Sequence, residues 1–336
     1  MNGDMGDRER LPCLDYKWRL IISYDGTRFS GWQYQQRVPT VQCIVEEALT
    51  RITKLERDRL CLVGAGRTDA GVHAWGQVAH FITPFNYDSL EGVHKALNGV
   101  LPPDIRIREM RSVMPEFHAR FSVNSKIYKY RIYNDAIMDP FHRHYVYHSI
   151  YKLNPAAMRD AAKHFVGKHD FSAFANASRN DRIPNPVKNI IRFDVNEMDI
   201  TPVIGIAGAG TSKLMDIIEV HVVVSFLISG PLLQFEIEGS GFLYRQVRNM
   251  VGLLLQVGRE VVPVDIVPKI LASCDRKELA KYALSVPPHG LCLFTVNYRG
   301  DHLQLLSGSP ATSLGRHHSI SKCRLPLLIS SSGERA

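Results

Sequence analysis

The chain has 336 residues, of which 45% are apolar, 22% charged and 9% aromatic. This is a globular composition, with enough chain for one large domain or two modest ones. Lys plus Arg number 41 against 33 Asp plus Glu, and the net charge of +8 suits a polyanionic partner as well as a merely basic protein. Six cysteines (Cys13, Cys43, Cys61, Cys274, Cys292, Cys323) are scattered without a Cys-x-x-Cys pair. That argues against a zinc site or a disulfide framework and suits a reducing compartment. No apolar run is long enough to span a bilayer. The charged, acid-containing N-terminus is unlike a secretory signal or a transit peptide. A cytoplasmic protein is expected, with nuclear and organellar addresses left open.

Residues 18–24 form a strand closed by Asp25-Gly26. A helix is predicted from Thr40 to Ile52, with Thr40 as N-cap and Val41, Ile44, Val45, Ala48, Leu49 and Ile52 on one face. Leu60–Val63 predicts a short buried strand, with Cys61 in the core alongside Cys292. Gln77–Ile82 is a strand, Asp88 caps a helix through Leu97, and 105–113 and 126–133 alternate as strands. Asn154-Pro155 opens a helix that closes near Gly167. A strand at 235–239 feeds a helix from 242 to 257, followed by short helices at 265–273 and 276–284 and a strand at 291–298. Strands and helices intermingle in two similar halves. The fold class is therefore α+β (mixed α/β), with mixed, largely antiparallel sheets flanked by helices. The expected divisions are an N-terminal tail (1–16), subdomains at 17–140 and 141–300, an atypical insertion at 198–230 and a disordered tail at 301–336.

Gly64-Ala-Gly-Arg-Thr-Asp-Ala-Gly-Val-His73 is the most informative segment. Arg67 and Asp69 sit two apart on a loop leaving a strand end, among three glycines and two alanines that leave the backbone open to a nucleotide. A cation beside Asp69 keeps the carboxylate ionised and able to act as a nucleophile. The plain alternative is a turn closed by a structural ion pair. A phosphate cradle does not fit, because no Gly-Lys-Ser/Thr follows and the third glycine of G-x-G-x-x-G is absent.

Two distant segments add to this one. In Lys126–Tyr133, Tyr128, Tyr130 and Ile132 share one face, while Lys129 and Arg131 share the other. Interleaved aromatic and basic residues suit RNA, although an ordinary amphipathic strand has the same pattern. In Gly241–Gly252, Arg245 and Arg248 lie three apart near a helix start. Cations there oppose the helix dipole unless an anion joins them, either a phosphate or Asp69. His73, His118, His169 and His289 lack ligand spacing, so no metal site is expected.

These strings together resemble the tRNA pseudouridine synthase A family, over about residues 17–197 and 232–299. The segment Gly66–His73 matches its Gly-Arg-Thr-Asp-Ala-Gly-Val-His signature. Phe117–Phe121, Asp170–Phe174 and Pro288–Leu293 also look like the family. The resemblance implies that Asp69 is catalytic, that Arg248 pairs with it, that Tyr128 packs on the target uracil and that Leu291 packs beside the base. The Tyr128 hydroxyl could help move the C5 proton, Arg67 could flip or position the base, and Arg245 is a candidate substrate contact. The resemblance further implies a cleft between the two halves, a homodimer, tRNA as partner with targets in the anticodon stem-loop, and no cofactor. A non-catalytic tRNA-binding protein of the same fold is the principal alternative, and a glycosylase that activates water is another.

Overall fold

A computed structural model describes residues 15–177, 185–199, 231–304 and 308–315. The insertion from residue 200 onward, much of the C-terminal tail, Cys13 and Cys323 fall outside the described residues. The fold is mixed α/β around one ten-stranded sheet. In chain order the strands are β1 (Tyr16–Tyr24), β2 (Val63–Gly64), β3 (His73–Thr83), β4 (Ile105–Val113), β5 (Val123–Tyr133), β6 (Tyr147–His148), β7 (Gly167–Asp170), β8 (Val187–Asp199), β9 (Pro231–Gly239) and β10 (Leu291–Tyr298). The helices are α1 (Val41–Thr53), α2 (Arg57–Leu60), α3 (Leu90–Val100), α4 (Pro155–Lys163), α5 (Gln246–Gly258), α6 (Ile266–Ser273) and α7 (Arg276–Ala280).

The sheet runs β4-β1-β3-β10-β5-β9-β8-β7, with β2 and β6 as short additions to β3 and β5. It is antiparallel except where β10 lies along β3 and β6 along β5. Strand β10 thus lies between β3 and β5. It meets β3 at only two positions, Cys292 opposite His73 and Leu293 opposite Ala74, and then pairs at length with β5. Trp18, Leu20, Ile22, Tyr130, Ile132, Phe235 and Ile237 are fully buried on one core. Helix α5 is buried at every position except Gln256, so it is a central rod and not a surface helix.

Caps follow local chemistry. The Thr40 hydroxyl accepts from Cys43 N–H, and the Asn154 side chain accepts from Ala157 N–H ahead of Pro155. Four expectations are corrected. Leu60–Val63 is not a strand: Arg57–Leu60 is a helical turn, Cys61 takes the left-handed conformation, and pairing starts at Val63. Leu60 and Leu62 point inward and Cys61 outward, so Cys61 is exposed and outside the core. Ser89, not Asp88, caps α3. Helix α5 begins at 246 and not 242, because Arg245 is left-handed and Gln246 Oε1 accepts from Leu243 N–H at 2.8 Å. Within the tail, Ser313 forms an antiparallel bridge with Met110 on β4, and its hydroxyl hydrogen-bonds buried His94 at 2.8 Å.

Candidate active site

The Asp69 loop connects β2 to β3 and is anchored along its whole length. Ala65 N–H donates to Val78 O (2.7 Å), the Gln77 amide to Gly66 O (2.7 Å) and Trp32 N–H to Thr68 O (3.1 Å). The Thr68 hydroxyl meets buried Tyr24 OH at 2.8 Å, and Val72 N–H closes a turn onto Asp69 O at 3.1 Å. Gly71 has φ +76°, which a side chain would strain. A Cβ on Gly64 would stand 2.5 Å from the Trp32 indole. The clearance predicted for a nucleotide is therefore occupied at Gly64 by the protein's own tryptophan.

His73 latches the end of this loop. Its Nδ1 accepts from Gly26 N–H (3.0 Å), and its Nε2–H donates to His144 O (3.0 Å) and His289 O (3.1 Å). Burial pushes this imidazole toward its neutral form. Asp25 Oδ1 lies 3.1 Å from Nδ1, but that nitrogen already accepts from Gly26, so the contact is not an ion pair. His73 is structural, and through His289 it binds the Asp69 loop to the segment that opens β10.

Arg248, in the first turn of α5, meets Asp69 across 179 positions of sequence: its guanidinium donates to Asp69 Oδ2 at 3.1 Å. Its Nε donates to Val286 O at 2.7 Å, so one cation grips both the carboxylate and the 284–290 segment. The Arg248 side chain is 8% exposed and that of Asp69 21%. The anion expected near the start of α5 is Asp69. The next residue, Asn249, donates to Phe174 O (2.6 Å) and Asn176 Oδ1 (2.9 Å), fixing the Asp170–Phe174 segment against α5.

Tyr128 faces Leu293 across the β5–β10 ladder and is buried, with Phe242 edge-on at 5.2 Å. Burial first, and the Asp69 charge second, push its phenol far up, so it is neutral at physiological pH. The structure therefore brings Asp69, Arg248 and Tyr128 together. Leu291 is buried at the start of β10, opposite Tyr130. Arg67 is exposed and its side chain makes no hydrogen bond or ion pair among the described residues. Arg245 is half-buried beside the Tyr244 ring, with no contact to Asp69 among the described residues.

Lys126 is a residue that the sequence reading passed over. It shares the core face of β5 with Tyr128, and its ammonium donates to Ala65 O at 2.8 Å beneath the loop. Burial lowers it to about 8. Its even spacing from Tyr128 and Tyr130 is the signal: a lysine stands where that face requires an apolar residue.

His80 on β3 accepts from Ala119 N–H at 3.1 Å. Burial, then nearby His118 and Lys17, lower it from 6.5 to about 3. Between those values the unfolded chain binds more protons than the folded one. The stability from neutral His80 is thus complete above pH 6.5 and is lost as pH falls toward 3. His80→Gln, which keeps an acceptor, is expected to flatten this part of the pH–stability curve, as checked by urea denaturation across the acid range. An unchanged curve would exclude His80 as its source.

The chain belongs to the tRNA pseudouridine synthase family, whose model matches residues 20–122 and 161–299. It is 37% identical to the protein named tRNA pseudouridine synthase A 1 of Protochlamydia amoebophila, over 85% of this chain and 97% of that protein. It is 38% identical to tRNA pseudouridine synthase A of Bacillus subtilis, over 86% of this chain and 99% of the relative. With the protein of that name from Methylacidiphilum infernorum the identity is also 38%, over 87% and 98%. No helix among the described residues is long and apolar enough to cross a membrane.

Proposed function

We propose that this protein converts uridine to pseudouridine in tRNA, with Asp69 as the nucleophile. The observation that carries this reading is the Asp69–Arg248 ion pair beside buried Tyr128, in a chain of this family. The reaction breaks the N1–C1′ bond, turns the uracil and joins C5 to C1′. C5 loses its proton and N1 gains one. The base must first leave its stack. Asp69 attacks C6 of the base or C1′ of the sugar, and Arg248 orients the carboxylate. Tyr128 packs on the uracil, and its neutral hydroxyl is available for proton transfer. Arg67, exposed and unpaired two residues from Asp69, fills the vacated space or holds a phosphate. Leu291 packs beside the base and Arg245 contacts the substrate. The isomerisation has no redox step and no external acceptor, so its chemistry calls for no cofactor.

In this reading the targets are uridines of the anticodon stem-loop, reached in a cleft between subdomains 17–140 and 141–300. The protein works as a cytoplasmic homodimer, and surface Lys and Arg supply a sequence-independent, salt-sensitive grip. The deciding assay uses tRNA carrying tritium at uridine C5. Release of tritium to water with uracil still attached is the expected result. Binding without release would leave a non-catalytic tRNA-binding protein, and free uracil would mark a glycosylase.

A further inference from the structure

Phe121 is 78% exposed, yet its ring is held in place. It lies on the His118 imidazole with centroids 4.3 Å apart and planes 27° from parallel. His118 is fixed in turn: its Nδ1 accepts from the backbone N–H groups of Arg120 (3.1 Å) and Phe121 (3.2 Å), and its ring meets His80 edge-on at 5.0 Å. Below these, Ala119 N–H is bound to buried His80 and Ala119 O accepts from the Tyr298 hydroxyl at 2.6 Å. Two stacked rings anchored to the core present one open aromatic face.

The charge beside that face is positive. The Arg120 guanidinium sits 5.8 Å from the Phe121 ring centroid and makes no hydrogen bond or ion pair among the described residues. Arg120 is near enough to Lys126 to help push its ammonium down, and Lys126 bonds Ala65 O at the foot of the Asp69 loop. Lys17 is used by Pro115 O and Phe117 O, with Glu116 offsetting its charge. The platform is tied to the Asp69 loop through His80, which binds Ala119 N–H and stands opposite Val63 on β2, the strand that leads into that loop, and neither Arg120 nor Lys126 has a carboxylate partner among the described residues. An open ring face accepts any base by stacking, and an unpaired guanidinium next to it accepts the adjoining phosphate. An apolar protein partner would instead have to bury that guanidinium unpaired.

We propose that Phe121, backed by His118, is a stacking platform for an unpaired base of the RNA substrate, and that Arg120 takes the adjoining phosphate. This is a second nucleotide subsite beside the Asp69 loop. It rests on the reading of the protein as a tRNA-modifying enzyme and adds where a nucleotide other than the target is held. The test compares wild type, Phe121→Ala and Phe121→Trp for equilibrium binding of unmodified tRNA and for tritium release. Phe121→Ala is expected to raise Kd and KM on the order of ten-fold with kcat unchanged, and Phe121→Trp to restore both. Arg120→Ala is expected to weaken binding and to reduce the salt dependence by about one phosphate contact. The Phe121 ring is exposed, so thermal unfolding of the alanine variant should match wild type, which separates lost binding from lost fold. Wild-type Kd and KM in Phe121→Ala would overturn the platform while leaving an active enzyme reading intact. A fall in kcat at unchanged Kd would also overturn it. A wild-type protein that neither binds nor isomerises tRNA would overturn both.

Discussion

Asp69→Asn is expected to lower pseudouridine formation by about 10⁴-fold or more while leaving tRNA affinity within a few-fold of wild type. The amide has the size of the carboxylate and its oxygen can still accept from Arg248, but it carries no charge with which to attack carbon. The Asp69 side chain is 21% exposed and its loop is anchored by backbone bonds, so the fold should survive the change. Asp69→Ala removes the acceptor as well and should be equally inactive. Single-turnover tritium release, with thermal unfolding as the control, separates chemistry from stability. Activity above about 1% of wild type in the alanine variant would remove Asp69 from the role of nucleophile.

Arg248→Met should be slowed for a different reason and should also destabilise the protein. It breaks two bonds at once, to Asp69 Oδ2 and to Val286 O. Losing one partner of a fully buried pair costs roughly 3–5 kcal/mol. Asp69 keeps some contact with water, which screens the stranded charge, so about 1–3 kcal/mol is the better expectation here. The rate should fall roughly 10²–10³-fold, the scale seen when a preorganised donor is removed. Arg248→Lys separates the two functions. An ammonium can pair with Asp69 or reach Val286 O but lacks the fork that does both, so charge and part of the rate return while stability does not. Denaturant melts and kcat for both variants check this. A lysine variant with full rate and full stability would mean that the fork geometry is irrelevant.

Much of the sheet was legible in the sequence because its strands alternate. The edges of β4 and β10 match their patterns, and α4 carries its cap and first-position proline in order, but it ends at Lys163 with His164 as C-cap, and Gly167 opens β7 instead of closing the helix. The turn at 57–60 was not legible. Four apolar residues in a row are too few to distinguish a strand from a helical turn followed by a left-handed residue. The candidate site was readable as three separate strings, but nothing local could say that Arg248 would reach Asp69 across 179 positions. Nor could local pattern find Val286 O, which shares the same guanidinium. The glycines show the same limit. Spacing reveals that bulk is absent, not what fills the space, and at Gly64 the occupant is the Trp32 ring.

Strand β10 lies between β3 and β5, so the order of synthesis constrains when the protein becomes competent. Both of those strands leave the ribosome more than 150 residues before their shared neighbour at 291–298. Until then each has a free edge able to pair with another chain. The sheet can close only after residue 298 emerges, and the contacts that close it are among the most sequence-distant in the molecule, a topology associated with slow folding. The same delay applies to the Arg248–Val286 bond, since the 284–290 segment is held in place by β10. A nascent chain arrested before residue 291 would therefore carry Asp69, Tyr128 and Arg248 without the strand that holds their supports in register. Such a chain would depend on chaperones to keep two sheet edges from aggregating.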